Sequence, residues 1–195
     1  MKIFYLKKSE FLPAVDVKTL GFLDDGRNYQ SLDKKLEHLC GLFLIKFIAK
    51  NVYNIENLEI EIRNHKPFFK ENKFFFSISH SEDIVLVAVD TCEIGADVEY
   101  MQDRNYLPIM KRYGCESENA SLKDFYRFWT KHEAKIKLGK DYISSFSTIL
   151  EDKYMFACLS GDVLVGEFSI NKFYIKGNNI NLIEEIEQPN FLQFD

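Results

Sequence analysis

The stretch FYRFWTKHEAKIK, residues 125–137, reads as a helix, because at about 100° per residue Phe125, Phe128, Trp129 and Ile136 fall on one apolar stripe. Glu133 and Lys137 lie together on its flank. A Glu four residues before a Lys is the favourable order for a surface ion pair, worth about 0.2–0.5 kcal/mol. A carboxylate and an ammonium on one helix flank are also what a metal ion and a phosphate would each recruit. His132 falls inside the stripe, where a histidine is most simply a core residue satisfied by a backbone carbonyl. His132 and Glu133 do not make a zinc-protease helix, since the second histidine of that motif would stand at Ile136.

Toward the N-terminus comes GADVE, residues 95–99. On a strand, Asp97 and Glu99 leave the same face while Ala96 and Val98 point into the core. Two such carboxylates suit Mg²⁺, which takes one or two protein carboxylates and completes its octahedron with water and phosphate oxygens. They equally suit the solvated face of an amphipathic strand. Further back, FSISHS (residues 76–81) sets Ser77, Ser79, His80 and Ser81 at a strand end before a turn at Glu82 and Asp83. Hydroxyls and an imidazole there fit either a phosphate or a capped turn. No G-x-S-x-G elbow, P-loop or dinucleotide glycine pattern occurs.

The remaining pattern is strand, helix, strands, then strand, helix, helix, strands. Residues 2–6 read as a first strand, and Ser31 as the N-cap of a helix reaching Asn51. Strands are expected over 58–62 and 74–78, with HKPFF as the connection between them. DIVLVAVD (83–90) suits a central strand buried on both faces. EIGADVEY (93–100) is a further strand, followed by a helix over 106–113 stopped by Gly114. Beyond Lys140, strands are separated by SGD and KGNN and end in a polar tail from Gln188. The fold class expected is α+β.

The chain has 195 residues, 46% hydrophobic and 28% charged, with 18 Phe and 10 Tyr, which is the composition of an ordered globular protein of one domain or two small halves. A net charge of -5 disfavours a broad nucleic-acid surface but allows a local basic pocket. Cys40, Cys92, Cys115 and Cys158 show neither a C-x-x-C pair nor zinc-ligand spacing, so reduced thiols in a cytoplasmic protein are expected. MKIFYLKKSEF loses its apolar run at Lys7 and Lys8, and LFLIKFIA is short and holds Lys46, so no export signal or membrane span is expected.

Together, FSISHS, GADVE and FYRFWTKHEAKIK, in this order and spacing, resemble the 4'-phosphopantetheinyl transferase superfamily, in particular the single-chain type that activates surfactin synthetase and similar carrier-protein systems. The specific feature is an aromatic run, Trp129, Thr130, then Glu133, Ala134 and Lys137, about thirty residues after G-x-D-x-E. The likeness is good over Lys66 to Lys140, architectural over the first sixty residues, and without a motif after about Leu150. It implies two similar α/β subdomains forming a pseudo-dimer, residues 1–91 and 92–195, with coenzyme A in the cleft between them. It also implies Mg²⁺ held by Asp97, Glu99 and Glu133, and coenzyme A contacted by Lys66, Ser79, His80, Asp97, Glu133 and Lys137. Glu133 and Lys137 would be the catalytic pair. The implied activity is Mg²⁺-dependent transfer of the 4'-phosphopantetheine arm to a serine of an apo acyl or peptidyl carrier protein, as in fatty acid biosynthesis, by a monomer.

Two positions depart from the family pattern. His132 stands where a lysine usually precedes the motif glutamate, and Glu37 stands near the place of an expected arginine before Gly41. The second change bears on the 3'-phosphate of coenzyme A, for which Arg27, Lys34 and Lys35 are substitutes. These departures keep open a non-catalytic module that binds coenzyme A or a carrier protein, and the carboxylate trio alone would also suit another Mg²⁺-dependent phosphotransferase. Carrier proteins are acidic, and the segment Lys111, Arg112 and Tyr113 is a candidate patch for them.

Overall fold

The computed structural model describes residues 1–15, 17–24, 26–63, 66–70, 73–115, 119–162, 168–176 and 179–186. The middle of the KGNN turn and the tail from Gln188 lie outside the described residues. The first strand is β1 (Lys2–Lys7). Two short helices that carry no clear periodicity follow, α1 (Lys8–Phe11) and α2 (Val17–Gly21). Helix α3 (Leu32–Asn51) starts where expected, the Ser31 hydroxyl accepting from the Lys34 amide at 3.2 Å.

Strands β2 (Ile60–Arg63) and β3 (Lys66–Phe69) form an antiparallel hairpin, so HKPFF is not merely a connection. Pro67 cannot donate to a ladder, but a two-stranded ribbon is all edge and tolerates it. Strands β4 (Phe75–Ser81) and β5 (Ile84–Asp90) form the next hairpin. After β6 (Ile94–Tyr100) come α4 (Leu107–Arg112) and α5 (Leu122–Leu138), then β7 (Ser144–Leu150), β8 (Tyr154–Ser160), β9 (Ser169–Lys176) and β10 (Asn179–Ile186). The architecture is mixed α+β.

A five-stranded sheet has the order β10-β9-β1-β5-β4, and a three-stranded sheet the order β6-β8-β7. Strand β5 runs between β1 and β4, and Ile84 through Val89 are all buried, as its unbroken apolar run requires. Strand β9 joins β1 in parallel, so the larger sheet draws on both ends of the chain. One face of that sheet, with Phe4, Leu6, Val85 and Val87, packs on Leu39, Leu44, Ile45 and Ile48 of α3. The other face, with Ile3, Tyr5, Leu86 and Ala88, packs on Ala96, Val98, Phe146 and Phe156 of the smaller sheet.

Helix α5 covers the outside of β6 and β8. Its N-terminus is a capping box, with the Asp124 amide donating to Ser121 Oγ at 3.2 Å and the Ser121 amide to Asp124 Oδ2 at 3.0 Å. It ends at Gly139, whose φ of 72° is left-handed. Ile136, expected on the apolar stripe, is instead 61% exposed. The helix buries two faces: Tyr126, Thr130, Ala134 and Leu138 lie at successive turns, while Phe125, Phe128 and Trp129 pack toward α4. Ile136 belongs to neither. Cys40 and Cys158 are buried, and all four thiols are free. No helix among the described residues is long and apolar enough to cross a membrane.

Gly95 sets the approach of α5 to β6. A Cβ there would stand 2.1 Å from the Ala134 carbonyl oxygen and 2.5 Å from the Leu138 nitrogen, so backbone would have to move. Gly95→Ala is therefore expected to destabilise the protein by about 3 kcal/mol, at the upper end for overpacking a rigid contact. Urea denaturation would read this as a lower midpoint; an unchanged midpoint would mean that α5 rides further from β6.

Candidate active site

The edges of the two sheets meet at β4 and β6 without a backbone ladder. Period-two side chains of β4 take its place: Ser77, Ser79 and Ser81 Oγ accept from the amides of Ala96, Val98 and Tyr100 at 2.9, 3.2 and 3.0 Å. As donors, Ser79 reaches Asp97 Oδ1 at 2.8 Å and Ser81 reaches Glu99 Oε2 at 3.1 Å. The serines of FSISHS thus hold the carboxylates of GADVE. The alternate residues Phe76, Ile78 and His80 point instead toward α3.

Asp97 and Glu99 do share a face, but that face is not solvated: Asp97 is 5% exposed beneath α5. The Lys137 ammonium donates to Asp97 Oδ1 at 2.8 Å. Lys137 forms no ion pair with Glu133 among the described residues, so the surface-pair reading of these two gives way to a tertiary pair with Asp97. Glu133 is half-buried one turn earlier on α5. No group of three Asp, Glu, His or Cys side chains is gathered at metal-binding distance among the described residues, so Glu133 is not brought into a ready-made trio with Asp97 and Glu99.

Two observations nonetheless fit a hard cation at Asp97 and Glu99. Asp97 Oδ2 is buried and has no hydrogen-bond partner. Burial, and then the charge of Asp97, push the Glu99 carboxyl above the usual carboxylate range, against the opposing influence of Ser81, Trp129 and Lys137. The two carboxylates carry more negative charge than Lys137 alone offsets, and Mg²⁺ needs no more than one or two protein carboxylates.

A cleft of about 650 Å³ lies on the α3 side of β4, with His38, Lys46, Arg27, Pro67 and His80 among its lining residues. Its walls combine cations with apolar surface from Leu42 and Ile78. Burial holds the His80 imidazole below its ordinary pKa despite Glu37, and the Lys137 charge acts on it too, so the cleft and the carboxylates are electrostatic neighbours. Lys66 has its ammonium on the Leu138 carbonyl, at the C-terminal end of α5. His132 stands edge-on to Tyr113 at 4.7 Å and stacks with Trp129 at 5.6 Å, within the aromatic packing between α4 and α5. Sequence reasoning passed over Trp129 beside Glu99 and the burial of Glu37; the aromatic run signalled the first, and nothing local signalled the second.

Because the folded pKa of Glu99 is raised, its ionisation weighs against the fold at every pH above that value, and the cost disappears below the unfolded carboxylate pKa. Glu99→Gln is expected to raise the metal-free melting temperature at pH 7 by about 2–4 °C, the response to about 1 kcal/mol in a domain of this size. The gain should shrink toward zero as pH falls through about 4.5; a gain independent of pH would show that charge is not its cause. His132→Lys is expected to cost about 1 kcal/mol of stability through lost ring packing, read as a lower urea midpoint; an unchanged midpoint would show that the ring is not a packing element of the α4–α5 interface.

No protein-family profile matches the chain. Among curated proteins it is 28% identical to 4'-phosphopantetheinyl transferase gsp of Aneurinibacillus migulanus over 138 residues, 64% of this chain and 57% of that protein. It is 32% identical to 4'-phosphopantetheinyl transferase psf-1 of Bacillus pumilus over 131 residues, 58% of this chain and 56% of that one. With 4'-phosphopantetheinyl transferase HetI of a Nostoc species it shares 33% identity over 92 residues, 42% and 39% of the two chains. The chain thus resembles the 4'-phosphopantetheinyl transferases, and it spans about half the length of the curated relatives it matches.

Proposed function

We propose that the chain transfers the 4'-phosphopantetheine arm of coenzyme A to a serine of an apo acyl or peptidyl carrier protein, releasing adenosine 3',5'-bisphosphate. The observation that carries this reading is the junction at Asp97. There Ser79 and Lys137 converge on one buried carboxylate whose second oxygen lacks a partner, beside a cleft of nucleotide size. In this reading the chain is a cytoplasmic monomer of two related halves, with coenzyme A running from the cleft toward the place where the halves meet.

The carrier serine oxygen forms a bond to the phosphorus bearing the pantetheine arm. The bond from that phosphorus to the bridging oxygen breaks, and the nucleotide leaves with the electron pair. Glu133 takes the serine proton, being half-buried one helical turn from Lys137. Lys137 offsets charge on the departing phosphate. Asp97, Glu99 and Glu133 would hold Mg²⁺, which supplies charge neutralisation to the pyrophosphate when bound. Ser79 fixes the rotamer of Asp97, and His80 forms part of the cleft wall. Lys66 acts from the end of α5, and the exposed Lys111, Arg112 and Tyr113 offer cations and a ring to an acidic carrier.

Intact-mass spectrometry of an apo acyl carrier protein incubated with the protein, coenzyme A and Mg²⁺ tests this. The expected result is a gain of one phosphopantetheine, about 340 Da as a covalent modification. It should be abolished in Glu133→Gln and slowed at least about 100-fold in Lys137→Met, the usual scale for losing one charge-stabilising group. No gain on fatty acid, polyketide or peptide carriers, with coenzyme A still bound, would reduce the chain to a binding module.

A further inference from the structure

Lys137 stands between two electrostatic surroundings. Its ammonium donates to Asp97 Oδ1 at 2.8 Å, the same oxygen that accepts from Ser79 at 2.8 Å. Its charge acts on Glu99 as well, and on His80 of the cleft wall. Among the described residues, no other ammonium or guanidinium pairs with Asp97 or Glu99. Lys137 is therefore the resident counter-ion of the carboxylate pair. The oxygen left over for any second cation is Asp97 Oδ2, on the same carboxylate.

The two partners of this ion pair differ in freedom. Asp97 is buried on β6, and the Ser79 hydroxyl that fixes its rotamer also accepts from the Val98 amide, so the carboxylate cannot turn away without opening the sheet junction. The side chain of Lys137 is 32% exposed and hangs on a flexible stem. Its backbone is held, because Gly95 brings β6 against Ala134 and Leu138, and Lys66 holds the Leu138 carbonyl. The ammonium can thus leave Asp97 while helix and carboxylate stay where they are. A buried carboxylate stripped of its cation is strongly unfavourable, so departure is easy only when another cation takes over. Conversely, a divalent cation arriving while Lys137 remains meets a like charge on the same carboxylate, where water screens poorly.

We propose that Lys137 is a built-in competitor for the cation site: in the chain without donor, its ammonium on Asp97 holds down the affinity of Asp97 and Glu99 for a divalent metal ion. By linkage, any ligand that draws Lys137 off Asp97 tightens metal binding, and the metal tightens that ligand by the same factor. The pyrophosphate of coenzyme A is such a ligand in the pantetheine-transfer reading given above, on which this last step rests; the competition at Asp97 does not depend on it. The consequence is an interlock. Lys137 is released for a phosphate when the carboxylates receive their replacement charge, so metal and donor favour entering together over either entering alone.

Binding of Mn²⁺ as the probe ion, followed without nucleotide by electron paramagnetic resonance and by calorimetric titration, tests the competition. Lys137→Met and Lys137→Gln are each expected to bind Mn²⁺ about tenfold more tightly than the wild-type chain, the effect of removing one competing charge from a partly buried site. Lys137→Arg, which keeps the charge, should stay within about threefold of wild type. Adding Asp97→Asn to Lys137→Met should remove the gain. Thermal unfolding of each variant checks that it is folded, and two neutral substitutions guard against one that is not. Equal or weaker Mn²⁺ binding in the folded neutral variants overturns the inference, as does a gain that survives Asp97→Asn. Either result leaves the transferase reading standing if the wild-type chain still adds phosphopantetheine to a carrier. Absence of that mass gain, with the Mn²⁺ pattern as expected, overturns the transferase reading and leaves the competition in place.

Discussion

Two sheet edges meet at β4 and β6, and no backbone ladder satisfies them. A buried amide without an acceptor costs about 1–3 kcal/mol, more than a typical hydrogen bond returns, so the inner edge of β6 needs an acceptor at every second residue. Ser77, Ser79 and Ser81 supply these, and each hydroxyl still has a proton to give. Two of the three protons go to Asp97 and Glu99. The three hydroxyls thus join the sheets, and two of them also fix the carboxylate rotamers. A one-residue slip of β4 would exchange the hydroxyls for Phe76, Ile78 and His80 and destroy both at once.

The junction concentrates negative charge where water is scarce. Asp97 is matched by Ser79 and Lys137 through one oxygen, its other oxygen has no partner, and Glu99 is pushed toward its neutral form. Such an arrangement weighs against the metal-free fold, and it is the kind of local disadvantage that functional sites retain. The cleft side shows a different balance. Glu37 is buried but fully engaged, so the two buried carboxylates nearest the cleft differ in kind: one is neutralised by the protein itself, the other only in part.

What was legible in the sequence was local. Ser31 as a cap, the two-face burial of β5 and the shared face of Asp97 and Glu99 follow from periodicity and side-chain chemistry alone. What was not legible depended on partners distant in sequence. The phase of α5 is set by Ala134 and Leu138 against Gly95 of β6, and a helical wheel weighted toward large aromatic residues misses a face that turns on a small one, hence the misplacement of Ile136. HKPFF, expected as a connection, is a strand only through its pairing with β2. Glu37 stood out in the sequence only as a departure from the family pattern, and the approach of Lys8 from α1 and His80 from β4 makes it a buried ion.

Lys66 connects these parts. It sits on β3, next to Pro67 of the cleft wall, yet its ammonium lies on the last carbonyl of α5, a C-terminus that attracts cations. Burial lowers its pKa, so the contact is with a cation that has given up part of its hydration. The hairpin that borders the cleft thus also holds the end of α5, the helix that carries both Glu133 and Lys137. Gly95 fixes how closely that helix lies on β6, while Lys66 fixes its end to the cleft. Between these two constraints the helix has little freedom to shift without moving the cleft wall as well. Lys137 therefore meets Asp97 from a helix held to β6 at Gly95 and to the hairpin of Pro67 at Lys66.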